Sequence, residues 1–264
     1  ASFTNASLLR PLAGDWVGLD NYVDILSSSR FYQMLQVTLV YTAGSVIGTL
    51  LIALLAALFM NRPFVGIGLA RALITIPWAA PDVAIVLIFV WMFNNQYGVF
   101  NYLLTQVGIL ETYQRWLDNP AVALPVVIGV TIWKIFPFSA LVLLAALQSI
   151  PDELYEAARV DGADQLNVFK NVMLPWISPT LAVVTLLITI WSLRRFSIVW
   201  LLTQGGPVLT TNTLVIDVYR ESFKSLHIGY GAAIGVIGLC ISMIATGVYF
   251  VVTQRTVETE GGTR

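Results

Sequence analysis

Four ionisable side chains lie inside long apolar segments of this sequence: Asp82, Lys134, Arg194 and Arg195. Each costs about 3 kcal/mol at the centre of a membrane helix on insertion scales, so intramembrane charges pair with one another or line a cavity. Asp82 can neutralise Lys134 or an arginine and so fix helix packing. The same residues can instead line a path for a polar or charged solute. The residues alone leave both interpretations open.

The two consecutive arginines indicate anion-binding chemistry. Arg194 and Arg195 point about 100° apart on a helix, so one acid cannot neutralise both. A guanidinium binds phosphate, sulfonate or carboxylate through a two-pronged pair of hydrogen bonds that a neutral solute cannot match. The alternative is structural. Arg194 then snorkels to the lipid interface, and Arg195 rests on the ring of Trp191, four residues earlier, or pairs with an acid on a partner chain.

Prolines interrupt two of the apolar segments, and each pair of prolines brackets a tryptophan: Pro77 and Pro81 around Trp78, Pro125 and Pro137 around Trp133. A proline frees a backbone carbonyl, which is tolerated at membrane depth only where protein or a water-filled cavity meets it. Broken helices of this kind often mark a transport path. Trp78 and Trp133, with Trp191 on a third apolar segment, are candidates to supply apolar surface along such a path.

The rest of the chain consists of the elements that must position these residues. Of its 264 residues, 57% are hydrophobic and 11% are charged, against about 25% charged in soluble domains. This composition predicts an all-α, polytopic membrane protein. About 20 apolar residues cross a bilayer. Five segments qualify: 35–59, 72–93, 120–147, 178–202 and 229–253. The run 99–110 is too short to span and is predicted to form an interfacial helix.

Several classes of function are disfavoured by the composition. The single cysteine, Cys240, and the single histidine, His227, supply neither a disulfide framework nor a histidine-based metal cluster. The lysines do not follow a glycine, so the phosphate-cradling loop of an ATPase is not found. A net charge of −1 gives no argument for nucleic acid. We expect no catalytic residue, metal or cofactor on this chain.

A polar stretch at 149–177 has a clear helical pattern between two apolar segments. Ser149, followed three residues later by Asp152, is typical of a capping box. Ile150 and Leu154, with Ala157 and Ala158, fall on one predicted apolar face. Gly162 can then end this helix by adopting a left-handed conformation.

A second short helix is predicted to follow directly. Asp164 can cap it, and Pro175 and Pro179 are expected to stop it before the next apolar segment. The pattern alone predicts an amphipathic helix–glycine–helix elbow that rests on lipid headgroups.

Three short runs in the elbow carry a resemblance to a known family. Glu156-Ala157-Ala158, Asp161-Gly162-Ala163 and Leu174-Pro175 resemble the EAA loop of ABC importer permeases, with Val172 where isoleucine is usual. The resemblance implies that the elbow is cytoplasmic and couples transport to a separate ATPase subunit. The residues implied in that coupling are Glu156, Ala157, Ala158, Asp161, Gly162, Ala163 and Pro175.

A second block resembles the same family more narrowly. The loop from Leu201 to Phe223 is similar to the L-T-x-G-G-P block of one permease subunit in sugar importers of the maltose and glycerol-phosphate type. The run around Trp133 and Lys134 matches as well. The resemblance implies a type I ABC importer permease fold in which Gly205, Gly206 and Pro207 face a solute-binding protein. Taken alone, those three residues indicate a tight turn.

The cytoplasmic elbow sets the expected topology, because the positive charges are nearly balanced between the two sides. Residues 1–34, 94–119 and 203–228 are then extracytoplasmic. Residues 35–255 form the transmembrane domain, and 256–264 form a cytoplasmic tail. With only five spans the two ends of the chain fall on opposite sides, so we expect a further span before Ala1.

The resemblance implies a permease subunit of an ATP-driven, solute-binding-protein-dependent importer of sugars, in the inner membrane of a bacterium or archaeon. Its partners would be a second permease, two ATPase subunits that hold ATP and Mg²⁺, a solute-binding protein, and membrane lipid. Arg194 and Arg195 stand where the family tends to carry neutral or acidic polar residues, which favours an anionic sugar derivative as cargo. The alternative is a self-sufficient secondary transporter or channel for a polar or anionic solute.

Overall fold

The computed structural model describes residues 1–10 and 14–261, with side chains described through Val251. Within these residues the chain is helical apart from its connecting loops and two isolated β-bridges, Thr4 to Trp16 and Ser7 to Arg10. The last helix runs through Gly261, so part of the predicted tail is helical. Residues 262–264 of that tail lie outside the described part of the chain.

The helices follow one another along the chain in this order: α1 Asp20–Ser27, α2 Ser29–Met60, α3 Ile67–Ala79, α4 Asp82–Met92, α5 Val99–Gln106, α6 Ala123–Gln148, α7 Asp152–Val160, α8 Gln165–Val168, α9 Leu174–Leu193, α10 Ser197–Thr203, α11 Leu214–Tyr219 and α12 Ile228–Gly261. Two π-helical turns, Phe169–Met173 and Arg220–Lys224, follow α8 and α11. The short helix predicted at 99–110 is present as α5.

Four continuous helical stretches of the described residues are long and apolar enough to cross a membrane: Ser29–Met60, Ala123–Gln148, Gln165–Leu193 and Ile228–Val251. The pair α3 and α4, bent at a short break, counts as a fifth span only if the two helices are taken together. These stretches confirm the predicted all-α membrane architecture, and they correct its details at three points.

The first correction concerns the predicted span 72–93, which is two helices. Ala80 and Pro81 adopt extended backbone with ψ of 145° and 137°. The residue before a proline is pushed out of helical geometry, and the proline itself has no amide hydrogen to donate. Pro77, by contrast, lies inside α3. The break therefore falls at the second proline of the pair.

The second correction concerns the elbow prolines, which do not stop a helix. α8, the first π-helical turn and α9 form one continuous stretch. The wide turn bonds the Leu174 amide to the carbonyl of Phe169 just before Pro175. Pro179 removes the amide that would bond the carbonyl of Pro175, and the hydroxyl of Ser178 donates to that carbonyl instead, at 3.0 Å. The helix therefore continues through both prolines.

The third correction concerns the predicted span 178–202. Its helix α9 ends at Leu193, and α10 begins at Ser197. Arg194 and Arg195 thus lie in the break between two helices, and the two cations are not held at consecutive positions of one helix.

Contacts divide the chain into two units, which we describe separately. The first unit contains Ala1–Gly44, Pro81–Val130 and Ile190–Arg264. It has two buried apolar clusters within its described residues. One gathers Tyr41, Val86, Val127, Ile198 and Ile216, and the other gathers Ile25, Phe31, Met34, Leu214 and Ile234.

The second unit contains Ser45–Ala80 and Thr131–Thr189. Its buried cluster is formed by α2, α6 and α9, through residues such as Ala57, Met60, Leu143, Leu147 and Ile177. Small residues on α2 let these helices approach closely, because each buried alanine removes side-chain bulk from the interface. This cluster is the support on which the elbow rests.

Candidate functional site

The first elbow helix, α7, begins without the predicted capping box. Pro151 occupies the N-cap position, and its side chain makes no cap hydrogen bond. Asp152 and Glu153 lie in the first turn and Arg159 in the last, which matches the helix dipole. Ser149 instead donates its hydroxyl to the carbonyl of Ala146 at 2.8 Å. It also accepts a hydrogen bond from the indole nitrogen of Trp176 at 3.1 Å, so it bridges the ends of two helices.

One side of α7 is anchored to the core of the second unit. Ile150, just before the helix, is 6% exposed and joins the buried cluster, and Tyr155 packs against the same cluster. Burial, and then the charge of Asp152, raise the pKa of the Tyr155 phenol above its ordinary value. The predicted apolar face is partly wrong, because Leu154 and Ala157 are exposed. The anchoring role of Tyr155 was not predicted from the sequence.

The other side of the elbow is open to a partner. Glu156, Asp161 and Gly162 are exposed, and Val160 is 88% exposed although it is apolar. The exposed side of α7 therefore presents charged groups with the apolar Val160 among them.

The turn between the two elbow helices has the predicted geometry. Gly162 has a φ of +74°, the left-handed region that favours glycine. A Cβ added there would meet nothing within 4 Å, so the requirement is conformational and not steric. Asp164 caps the next helix, because its carboxylate accepts a hydrogen bond from the Asn167 amide at 2.8 Å.

Lys134 has a specific set of partners in the second unit. Its ammonium donates to the carbonyls of Pro77 at 3.2 Å and Trp78 at 3.0 Å, and also to that of Ala80. The residue is 7% exposed. The last carbonyls of a helix lack partners within the helix and carry partial negative charge. Lys134 therefore acts as a cap on the C-terminus of α3.

Two of the predicted ring surfaces lie in the same unit. Trp78 is 47% exposed and stacks on Phe138 with centroids 5.6 Å apart. Trp133, beside Lys134 in sequence, is 39% exposed. The second unit thus holds Trp78, Trp133 and Lys134, and the first unit holds the remaining residues of the predicted path: Asp82, Trp191, Arg194 and Arg195.

Arg195 forms an ion pair within the first unit. Its Nη1 lies 3.6 Å from Oδ2 of Asp82, the first residue of α4, where the helix dipole also favours an acid. The Nε of Arg195 is buried and has no hydrogen-bond partner in the described part of the chain. A buried donor that is left unpaired costs free energy. Arg195 therefore keeps hydrogen-bonding capacity for a further acceptor.

Arg194 has different surroundings from its neighbour. Its side chain is exposed and lines an apolar groove of about 770 Å³ that runs along α12 past Gly235 and Ser242. Asp82 pairs with Arg195. The 100° separation predicted for the two arginines does not apply, because α9 ends at Leu193.

The loop predicted to face a binding protein is tightly folded. Gly205 has a φ of +85°, and a Cβ there would lie 2.8 Å from Oδ1 of Asn212. Thr211 donates its hydroxyl to the carbonyl of Gly206 at 2.7 Å. Gln204 also has a positive φ of 52°. The predicted turn is present, and glycine at 205 is required by both conformation and space.

An ion cluster that the sequence analysis missed fixes this region to α2. Arg30 binds Asp217, which is 1% exposed, and its Nη1 lies 2.8 Å from a carboxylate oxygen of Glu221. Asn212 donates to Asp217 at 2.9 Å. The four-residue spacing of the two acids was the available signal, since residues at that spacing share a helix face.

Among the described residues, no three or more His, Cys, Asp or Glu side chains are grouped so that they could hold a metal ion.

The chain is similar in sequence to a known protein family and to several of its members. Residues 48–258 match the family described as binding-protein-dependent transport system inner membrane component. The chain is 36% identical over 248 residues to the sulfoquinovosyl glycerol transport system permease protein SmoG of Agrobacterium fabrum, covering 94% of this chain and 80% of that one. It is 36% identical over 234 residues to the trehalose/maltose transport system permease protein MalF of Thermococcus litoralis, covering 89% and 78%.

Two solved structures of bacterial transporters contain chains with a similar fold. A chain from a bacterial ABC transporter that imports the acidic polysaccharide alginate superposes with a TM-score of 0.81 at 26% identity, covering 91% of this chain and 84% of that one. A second structure of a bacterial alginate ABC transporter, in complex with a periplasmic protein bound to an alginate pentasaccharide, also gives 0.81 at 26% identity, covering 90% and 83%.

Proposed function

The chain belongs to the family of binding-protein-dependent transport system inner membrane components, and on that premise we propose that it is the permease subunit of an ATP-driven sugar importer whose cargo carries an anionic group. The family match supports the role as a permease subunit, because the matched residues 48–258 include both the elbow and the Gly205–Gly206 loop. Relatives named for sulfoquinovosyl glycerol, trehalose or maltose, and alginate support a carbohydrate cargo.

The anionic part of the proposal rests on Arg195. Its side chain is 18% exposed at a helix break and keeps a buried Nε without a partner in the described residues. Its ion pair with Asp82 is long, at 3.6 Å, so the guanidinium has room for a second acceptor. A planar guanidinium binds a carboxylate, sulfonate or phosphate through two parallel hydrogen bonds. Two of the relatives named above transport an acidic carbohydrate, which agrees with this chemistry.

The proposed mechanism is alternating access. The elbow faces the cytoplasm and docks on a separate ATPase subunit, which binds and hydrolyses ATP with Mg²⁺. Closure of two such ATPases moves the elbow, and the spans of this chain and of a second permease open a central cavity outward. An extracytoplasmic solute-binding protein docks near Gly205, Gly206 and Pro207 and releases the sugar into that cavity.

The residues of this chain have distinct parts in the proposed mechanism. Glu156 pairs with a basic group on the ATPase, and Gly162 holds the turn that presents it. Arg195 binds the anionic group of the cargo. Trp78, Trp133 and Trp191 supply ring surfaces, while Lys134 keeps the end of α3 in place.

Reconstitution tests the proposal against a self-sufficient secondary transporter. The full-length chain, its partner permease and the ATPase are placed in proteoliposomes with the cognate solute-binding protein outside. We expect uptake of the radiolabelled sugar retained by that binding protein to require both ATP inside and binding protein outside. Uptake driven by a proton gradient without ATP would contradict the proposal. A binding protein that retains neutral sugars alone would contradict its anionic part.

A further inference from the structure

The structure points to a second carbohydrate site, separate from Arg195. We propose that a cavity of about 480 Å³ at the end of α10 is an outer station that binds the anionic sugar before it reaches the translocation path. Its lining includes Trp200, Thr203, Gln204, Arg220 and Lys224. The volume lies in the usual range of small-molecule sites, roughly 300–1,000 Å³. This inference rests on the proposed function, because it takes the cargo to be an anionic sugar.

The cavity is lined by two cationic side chains that have no carboxylate partner among the described residues. Arg220 and Lys224 lie four residues apart on the second π-helical turn, and both line the cavity. In the described part of the chain neither has a carboxylate within 4.0 Å. Glu221, which follows Arg220 directly, is bound to Arg30 instead. Neighbouring like charges repel each other, so an anion placed between them is favoured.

An aromatic wall gives the cavity its surface for a sugar ring. Trp200 lines it, with the ammonium of Lys224 6.0 Å from the ring centroid. The indole packs edge-on against Tyr219 at 4.6 Å, so its plane is held in one orientation. A rigid ring face beside two cations and the polar side chains of Thr203 and Gln204 suits an apolar sugar face with an anionic substituent.

The aromatic wall continues toward Arg195. Phe196, the next residue in sequence, stacks on Trp200 with centroids 5.7 Å apart and planes 13° apart, and lies 5.0 Å from Tyr219. The rings therefore connect the cavity to the helix break that holds Arg195.

Cysteine protection tests the site directly, without the binding protein. Val208 lines the cavity and is 79% exposed, so Val208→Cys in a Cys240→Ala background reports occupancy through its rate of labelling by an anionic methanethiosulfonate reagent. Val107→Cys, which is 67% exposed outside this cavity, is the matched control. The complete transporter in nanodiscs is labelled in the presence of glucose, or of glucose carrying a 6-carboxylate, 6-sulfonate or 6-phosphate group.

We expect at least one of the three anionic sugars to slow labelling at Val208→Cys at a concentration about tenfold below that of glucose, a difference of about 1.4 kcal/mol. Labelling at Val107→Cys should not change. Arg220→Gln combined with Lys224→Gln should remove the protection, whereas Arg115→Gln, at an exposed cation outside the cavity, should keep it.

Several results would overturn the inference. One is that glucose protects Val208→Cys as well as the anionic sugars do, and another is that none of the three anionic sugars protects it. A third is protection that changes with the anionic lipid content of the nanodisc. The fourth is a double variant that weakens docking of the solute-binding protein while protection by the anionic sugar stays intact. The last result would assign the cations to an acidic protein surface. The proposed function is judged separately, because ATP-driven uptake can persist when cysteine protection fails.

Discussion

The ammonium of Lys134 lies 3.0 Å from the carbonyl oxygen of Trp78, at the C-terminal end of α3. With the neighbouring carbonyls of Pro77 and Ala80, this contact satisfies the end of a helix that a proline interrupts. Of the two interpretations that the sequence leaves open for Lys134, these contacts support a structural one, in which the cation stabilises the break.

Removal of that ammonium is expected to destabilise the permease. Lys134→Met leaves buried carbonyls without their donor, which costs about 2 kcal/mol or more. The midpoint of thermal unfolding of the purified transporter should fall. Lys170→Met, the same change at an exposed lysine, should leave the midpoint unchanged. A stable Lys134→Met transporter with a specific loss of sugar uptake would instead place Lys134 on the solute path.

The elbow turn gives a prediction about coupling. Gly162 has a φ of +74° with open space around it, so a β-branched residue meets backbone strain of about 1–3 kcal/mol and no clash. Gly162→Val should lower ATP-driven uptake about tenfold or more, while the protein still inserts in the membrane. Gly162→Asn is the matched control, since asparagine tolerates the left-handed region, and it should keep most of the uptake. Normal uptake and normal co-purification of the ATPase by Gly162→Val would refute the coupling role of this turn.

The ion cluster on α2 gives a prediction about stability. Arg30→Gln leaves the buried carboxylates of Asp217 and Glu221 without their cation. Because Arg30 itself is 40% exposed, the cost should be about 1–3 kcal/mol, below that of a fully buried pair. Thermal unfolding should show this loss of stability for the variant. The double variant Arg30→Gln with Asp217→Asn removes one of the uncompensated charges and should recover part of the loss. If the double variant is less stable than the single one, electrostatics is not the cause.

Much of the elbow could be predicted from the sequence because its geometry depends on local chemistry. Gly162 and Asp164 act within a few residues of themselves, so their roles follow from their types and neighbours. The apolar composition likewise fixes the approximate extent of the spans. These are features in which the chain interacts mainly with its own neighbouring residues or with the membrane.

The remaining features depend on partners that the local pattern does not reveal. Pro179 was expected to stop a helix, and the hydroxyl of Ser178 lets that helix continue. Ser149 matched a capping box, yet its hydroxyl is taken by Ala146 and Trp176, the latter 27 residues away. Arg30 and Asp217 meet across 187 positions of sequence. Such pairings are set by tertiary packing, and no periodic pattern in a single sequence reveals them.

Arg195 gives the prediction that decides the class of cargo. If its guanidinium binds the anionic group of the sugar, Arg195→Gln removes a two-pronged, charge-assisted contact worth more than a neutral hydrogen bond. Uptake of the anionic sugar should fall about tenfold or more, which corresponds to about 1.4 kcal/mol. Assembly with the partner permease and the basal ATPase activity should persist. Uptake is measured in proteoliposomes at several sugar concentrations, with the binding protein kept in excess.

Two controls separate this role from a structural one. Arg115→Gln changes an exposed arginine outside the break and should leave uptake unchanged. Asp82→Asn removes the acid that Arg195 contacts at 3.6 Å but leaves the guanidinium in place, so it should retain more uptake of the anionic sugar than Arg195→Gln. If both variants of the ion pair instead fail to assemble, or lose uptake to the same extent, then the pair with Asp82 holds the break together and the anion of the cargo binds elsewhere.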